Sequence, residues 1–246
     1  AYVSRVGESA GKMYGFVYDG TYKEEDFNIT VNENGKKTYE LKPGVPKFKD
    51  GCQPGDPKYK NVDGSEDNLI TDNDRTVIGN GHPLHTGGFT NNFVYKNWDL
   101  NIFLQWSYGN DIFNVNRLVM ENPGAKKQLN QFASYKNRWS ESNPTSNIPR
   151  VRAVGADEYS SLYVEDGSFL KLKTISLGYN FDAKTLKRIG ISAARVFVSA
   201  ENIATITGYS GSDPEVSTRH SVLTPGFDWS AYPRAFNASL GVNVTF

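Results

Sequence analysis

The sequence has 246 residues with 27 basic and 27 acidic side chains, so its formal net charge is zero, which argues against nucleic acid as a partner. No stretch approaches the roughly 20 consecutive apolar residues of a transmembrane helix, which excludes a helical membrane protein. The 13% aromatic residues and 23 glycines instead suit a membrane β-barrel, whose strands face lipid with every second residue only. A soluble, tyrosine-rich β-sandwich would have the same composition.

Six segments alternate apolar and polar side chains as β-strands do. The first carries Tyr14, Phe16 and Tyr18 on one face. We therefore predict an all-β fold, a transmembrane antiparallel β-barrel to which this chain contributes about six strands. They are residues 12–22, 88–96, 98–108, 168–181, 194–204 and 236–246.

An acidic loop follows the first predicted strand and is the best candidate for a metal site. Calcium takes 6–8 hard oxygen ligands, and Gly64 would permit a tight turn there. The spacing departs from an EF-hand loop, because Glu66 stands where that motif needs glycine, and a solvated cluster of Asx-type turns is the alternative. The candidate calcium ligands are Asn61, Asp63, Ser65, Asp67, Asp72 and Asp74.

Residues 98–108 give the clearest strand pattern. Alternate side chains form one apolar face, opposite a mostly polar face, because successive side chains of a strand point to opposite sides. Eleven residues also match the length of a tilted membrane strand, about 9–11. We predict that lipid contacts Trp98, Leu100, Ile102, Leu104 and Trp106.

The long connection after this strand is predicted to contain short helices at residues 116–120 and 126–140. Flat aromatic rings in the loops are candidates for stacking on sugars or holding a peptide side chain. They would equally suit loop packing or contact with a protein that covers the barrel. The candidates for substrate binding are Trp139, Tyr209 and Trp229.

The fourth predicted strand, residues 168–181, changes phase. Leu170 and Leu172 lie on one face of an ideal strand, whereas Ile175 and Leu177 lie on the other. This change predicts a β-bulge or a strand that extends above the bilayer.

The last segment ends the chain on an aromatic residue. Leu240, Val242, Val244 and Phe246 share an apolar face, and we predict that they contact lipid. A terminal Phe on an amphipathic strand resembles the C-terminal signal by which bacterial outer-membrane proteins are recognised for barrel assembly.

Long and short connections alternate strictly between the six predicted strands. Membrane barrels have short periplasmic turns and long extracellular loops, so the long connections are expected to face outside. Six strands leave two edges that lipid does not tolerate. Because the N-terminus also lacks a signal peptide, we expect the remaining strands in a polypeptide that extends further N-terminally.

Several motifs resemble those of SusC/RagA-type TonB-dependent transporters. This resemblance implies that residues 1–246 are the C-terminal portion of a 22-stranded barrel with a plug, a segment engaged by TonB, and a SusD-type surface lipoprotein as partner. It also implies active import of oligosaccharides or peptides across the bacterial outer membrane. The motifs are residues 54–60 (PGDPKYK), 74–80 (DRTVIGN), 86–93 (TGGFTNNF), 98–100 (WDL), 199–203 (SAENI), 208–211 (GYSG), 213–215 (DPE) and 232–234 (YPR).

Two other functions fit the same patterns. One is a surface adhesion or structural barrel without energised transport, and the other is a soluble carbohydrate-binding β-sandwich. Catalysis has little support, because His82, His85 and His220 lie apart from any candidate nucleophile and no motif of a hydrolase or nucleotide-binding loop occurs. We predict that the chain is not an enzyme.

Overall fold

The computed structural model describes residues 1–122 and 128–246, which form two compact units. The loop unit consists of Ala1–Gly81, Ile112–Glu165 and Val216–Ser230, and the sheet unit consists of His82–Asp111, Asp166–Glu215 and Ala231–Phe246.

The described residues contain fifteen strands and two α-helices. In chain order the strands are β1 (Tyr2–Val3), β2 (Lys12–Gly15), β3 (Tyr18–Thr21), β4 (Phe27–Val31), β5 (Lys37–Leu41), β6 (Pro57–Tyr59), β7 (Thr76–Asn80), β8 (His85–Tyr95), β9 (Trp98–Tyr108), β10 (Asp111–Asn114), β11 (Val164–Asp166), β12 (Phe169–Asn180), β13 (Ala193–Thr207), β14 (Phe227–Asp228) and β15 (Asn237–Thr245). The helices are α1 (Val115–Met120) and α2 (Ala183–Leu186), and short 3-10 helices are found at Glu24–Asp26, Asp72–Asp74, Ala133–Asn137, Ser161–Tyr163 and Lys187–Ile189.

The sheet unit is built on one five-stranded sheet in the order β15-β13-β12-β9-β8. Neighbours in this order are antiparallel and follow one another along the chain, so the sheet is a meander. Short connections join β8 to β9 and β12 to β13, whereas long ones join β9 to β12 and β13 to β15. The predicted alternation of connection lengths is therefore present within this sheet.

The predicted phase change in β12 is a bulge. In its pairing with both β9 and β13 the register shifts between Leu172 and Thr174. The extra residue, Lys173, restores the phase, so that Leu170, Leu172 and Ile175 all lie on the same face of the sheet.

The first predicted membrane strand is wrong. Residues 12–22 are divided between β2, which pairs with β1 and β7, and β3, which pairs with β6, all within the loop unit. Met13, Phe16 and Tyr22 are buried in three separate hydrophobic clusters. The described sheet therefore has five strands instead of six, because this segment forms the core of the loop unit.

The loop unit is held by short sheets and aromatic packing. Phe16 packs on Tyr59 with ring centroids 5.1 Å apart, and on Phe48 at 5.3 Å. The predicted helix at 116–120 is confirmed as α1. For residues 126–140 the structure has the 3-10 helix Ala133–Asn137, while residues 126 and 127 lie outside the described residues. No helix in the described ranges is long and apolar enough to cross a bilayer.

Candidate functional site

One face of the five-stranded sheet is apolar and open. The register places Leu172 of β12 opposite Leu104 of β9 and Val198 of β13 opposite Leu240 of β15. Leu240 is 78% exposed and Phe246 is 88% exposed. The sheet residues predicted to contact lipid lie on this face, namely Trp98, Leu100, Ile102, Leu104, Trp106, Leu240, Val242 and Val244, and Phe246 follows β15 in the same phase.

The opposite face is polar and is tied together by ion pairs. Arg195 of β13 reaches across β12 to Asp99 of β9, with Nη2 2.6 Å from Oδ2 and Nε 3.2 Å from Oδ1. Asn180 donates a third hydrogen bond to Asp99, at 3.0 Å. A Cβ at Gly178 would lie only 2.3 Å from Nη2 of Arg195, so the glycine provides the space that the guanidinium crosses.

Two more glycines on the polar face lie beneath large side chains. A Cβ at Gly241 would be 2.3 Å from the ring of Phe197, and a Cβ at Gly88 would be 2.8 Å from the ring of Phe103. In each case the large side chain belongs to the neighbouring strand. The rings therefore lie along the surface of the sheet instead of projecting from it.

A charge cluster lies on the same face at the end of β12 that follows the long connection. It consists of Lys171, Lys173, Asp213, Glu215 and Arg234. Lys171 is 2% exposed and forms ion pairs with Glu215 and, at 3.4 Å, with Asp213. Arg234 Nε lies 3.3 Å from Glu215 Oε2, and Lys173 Nζ lies 3.4 Å from the same atom. A lysine this deeply buried is tolerated because two carboxylates neutralise it.

Asp213 organises the backbone of this cluster. Its Oδ1 accepts a hydrogen bond from the Glu215 amide at 2.9 Å, and its Oδ2 accepts one from the Arg234 amide at 3.0 Å. Burial raises the pKa of Asp213, but these backbone hydrogen bonds and the charge of Lys171 outweigh burial, so the pKa lies below the ordinary value of an aspartate. The side chain is thus ionised at neutral pH.

The acidic loop places its last candidate ligand in the interior. Asp74 is fully buried, and its carboxylate accepts backbone hydrogen bonds from Val62 at 2.8 Å, Asp63 at 3.2 Å and Thr71 at 2.8 Å. Asn61 donates its side-chain amide to the carbonyl oxygen four residues on, at 3.0 Å. These contacts fold the loop around Asp74.

The other candidate calcium ligands also have protein partners. Asp63 accepts a hydrogen bond from the Ser65 amide at 2.8 Å, Asp67 accepts one from the Ser65 hydroxyl at 2.8 Å, and Asp72 pairs with Arg75 at 2.9 Å. Across residues 1–122 and 128–246, no three His, Cys, Asp or Glu side chains form a group able to hold a metal ion. The bonds are those of Asx-turns, and calcium binding at this loop stays a prediction.

The three candidate substrate-binding aromatics have different environments. Trp139 packs on Gly55, where a Cβ would lie 2.5 Å from the indole ring. Tyr209 is 5% exposed, which leaves little ring surface for a ligand, whereas Trp229 is 46% exposed. Of the three, Trp229 alone presents a large open face.

Sequence reasoning missed the buried ion pair of the loop unit. Asp56 is fully buried, and its Oδ1 lies 2.7 Å from Nε of Arg150. The same carboxylate accepts backbone hydrogen bonds from Gln53 at 2.9 Å and Val154 at 3.1 Å. Burial raises the pKa of Asp56, although Arg150 opposes the shift. Asp56 stands within the PGDPKYK motif, but its partner lies far along the chain and no local pattern identifies it.

No family model matches the chain. Curated relatives, in contrast, match almost all of it. TonB-dependent receptor P3 of Formosa agariphila is 33% identical over 249 residues, which cover 99% of this chain and 23% of the relative. The predicted resemblance to TonB-dependent transporters is thereby confirmed. TonB-dependent receptor SusC of Bacteroides thetaiotaomicron is 29% identical over 65% of the chain.

Solved structures share the fold of the chain. The structure of the RagAB peptide transporter matches 96% of this chain with a TM-score of 0.67 and 23% identity, and that of the RagAB peptide importer in the 'closed-closed' state matches with a TM-score of 0.68. The similarity shows the fold and confirms the predicted class, an all-β barrel portion. The prediction that the chain is not an enzyme is also confirmed by these receptors and transporters. The chain spans about a quarter of the length of the curated relatives, 23% of the first two.

Proposed function

We propose that this SusC/RagA-type chain is part of the wall of an outer-membrane importer that takes up oligomeric nutrients, either oligosaccharides or peptides, with energy delivered through TonB. The observation that carries the proposal is the division of the sheet into two faces. The apolar face is exposed along rows of Leu, Val and Trp, which is costly in water and favourable against lipid. The opposite face carries the Asp99–Arg195 bridge and the charge cluster, which suit a water-filled lumen.

The proposed assembly includes partners that lie outside residues 1–246. They are the plug, the remaining strands, TonB, and a SusD-like surface lipoprotein above the lumen. Solved neighbours described as a RagAB peptide transporter support a lipoprotein partner and support peptides as one substrate class. The predicted contact of Trp229 with substrate belongs to this proposal, because its ring is open to solvent.

A strain that lacks the intact protein provides the test. Complementation with the wild-type gene is expected to place the protein in the outer-membrane fraction and to restore uptake of labelled oligopeptides or oligosaccharides. Uptake should be lost when TonB is deleted.

The same experiment distinguishes the alternatives. An adhesion or structural barrel would fractionate with the outer membrane but would give no TonB-dependent uptake of either substrate class. A soluble β-sandwich would be extracted without detergent. Either result would exclude the proposed importer.

A further inference from the structure

A groove opens on the apolar face of the sheet unit, at the end of the sheet where the long connections join β9, β12 and β13. Its volume is about 480 Å³, within the range of about 300–1,000 Å³ that is typical of sites for small molecules. The lining residues come from β8, β9, β12 and β13 and from the chain next to them, all within the sheet unit. The groove is thus a feature of this unit alone.

A tryptophan that lies flat on the sheet opens the groove. At this level the register aligns, on neighbouring strands, Ile206, Leu170, Trp106 and Gly87. The indole of Trp106 lies over Gly87, where a Cβ would be 2.2 Å from the ring, and its Nε1 donates a hydrogen bond to Nδ1 of His85 at 3.2 Å. Because the indole is held over β8, Leu170 is left 41% exposed as the floor of the groove.

The rim of the groove is polar. His85 stacks on Tyr108 with ring centroids 5.2 Å apart. Because Nδ1 of His85 accepts the hydrogen bond from the indole, the imidazole is neutral and its Nε2 carries the proton. Asp166 is exposed, and its Oδ1 accepts a hydrogen bond from the Ser168 amide at 2.9 Å. Among the described residues that line the groove none is lysine or arginine, so the rim offers one negative charge and one N–H donor.

We propose that this groove binds the acyl chain of a membrane lipid whose head group carries an ammonium group. The inference rests on the proposed function, which places the apolar face against the bilayer. The floor is continuous with the rows of Leu, Val and Trp on that face, so an acyl chain enters the groove from the bilayer without crossing polar surface. The carboxylate of Asp166 at the rim attracts a positively charged group and repels an anionic head group.

Photo-crosslinking of the intact protein in lipid vesicles tests the site. The probe is a phosphatidylethanolamine with a diazirine on its acyl chain, and labelled peptides are identified by mass spectrometry. Labelling of the peptide that contains Leu170 should saturate as the probe fraction rises, whereas labelling at Leu240, elsewhere on the same face, should rise in proportion to the probe. An exposed ion pair contributes a factor of up to about five in affinity, so unlabelled phosphatidylethanolamine should compete up to about fivefold better than phosphatidylglycerol.

Variants distinguish the groove from the rest of the apolar face. Leu170→Trp fills the groove and should abolish the saturable labelling. Leu177→Trp is the matched control, because Leu177 lies on the same strand and face and is 37% exposed, and it should label like the wild type. Asp166→Asn retains the oxygen that accepts the Ser168 amide, and it should remove the preference for phosphatidylethanolamine while saturable labelling remains.

Three results would overturn the proposal. They are labelling in proportion to the probe at both sites, saturable labelling that Leu170→Trp and Leu177→Trp leave equal, and equal competition by the two unlabelled lipids. Should Leu170→Trp fail to assemble, Ile206→Trp decides instead, because it fills the groove from a wall residue that is 72% exposed.

The proposed function fails in a different way. Saturable labelling of a protein that shows no TonB-dependent uptake would reject the importer and leave the lipid site standing. A protein labelled at neither Leu170 nor Leu240 would reject the membrane assignment and the lipid site together. Labelling at Leu240 without saturable labelling at Leu170 would reject the lipid site alone.

Discussion

Ile175 of β12 tests which face of the sheet meets lipid. It stands opposite Ile102 of β9, which is four residues from both Trp98 and Trp106. If these tryptophans mark the two interfaces, Ile175 lies near the bilayer midplane. A lysine on the lipid face at this depth costs about 2–4 kcal/mol, against about 0–1 kcal/mol near an interface. Ile175→Lys should therefore lower the folding equilibrium constant roughly 30- to 700-fold.

Ser176→Lys is the matched control, because the next residue of the same strand places the same charge on the polar face. Ser176 stands opposite Asn101 and Ser199, so its neighbours are hydrophilic and uncharged. Ile175→Ala separates the lost packing from the added charge. The free energies of unfolding are measured by urea titration of the intact protein refolded in lipid vesicles.

The expected order of destabilisation is Ile175→Lys, then Ile175→Ala, then Ser176→Lys. Equal losses in the two lysine variants would show that both faces have similar surroundings, and a larger loss in Ser176→Lys would invert the assignment. Either result would refute the proposed orientation of the sheet.

Three further predictions concern the loop unit and the charge cluster. Arg150→Met should destabilise the loop unit by about 3 kcal/mol, at the low end for breaking a buried pair because Arg150 keeps some exposure, and hydrogen exchange around Asp56 reports it. Gly15→Ala should cost about 3 kcal/mol or more, because the new Cβ would lie 2.2 Å from a backbone carbonyl oxygen. Gly208→Ala, where nothing lies within 4 Å, should leave hydrogen exchange nearly unchanged. Because folding lowers the pKa of Asp213, its stabilisation is present above the unfolded value of about 4 and is lost as pH falls below it. The backbone amides of Glu215 and Arg234, which donate to Asp213, should therefore stay protected from hydrogen exchange from pH 8 to about 5, relative to their intrinsic rates, and lose protection only below about 4. Protection that falls between pH 8 and about 6 would contradict this assignment.

Strands with regular alternation were predictable from sequence. The bounds of β9 agree with the pattern of residues 98–108, and the phase change in 168–181 correctly indicated a bulge. These two predictions were correct because side-chain alternation along a strand depends only on local backbone geometry. Residues 12–22 show the limit of this argument, because alternate aromatics also occur in short strands whose two faces are both buried. Gly15 and Gly20 interrupt that segment, and a glycine inside a strand pattern often marks a bend or a bulge. In the structure Gly20 has a φ of +88°.

The charge cluster was not predictable by the same means. Lys171 meets Asp213 across 42 residues of sequence, and nothing local signals such a pairing. The family motifs did contain these residues, Asp213 and Glu215 in one motif and Arg234 in another. The two motifs meet in the folded chain, where Arg234 contacts Asp213 and Glu215. Only the register of β12 against its neighbours shows that Lys171 lies on the face where they meet.

The glycines beneath Phe197, Phe103 and Arg195 have an evolutionary consequence. A methyl group at Gly241 would collide with the ring of Phe197, so neither position is free to change alone. Homologues that acquire alanine at 241 are expected to carry a smaller residue at 197, and those with a side chain at 178 to lack arginine at 195. Substitutions on the polar face should therefore occur in pairs, and the shape of this face should be conserved through these couplings more strictly than any single amino acid.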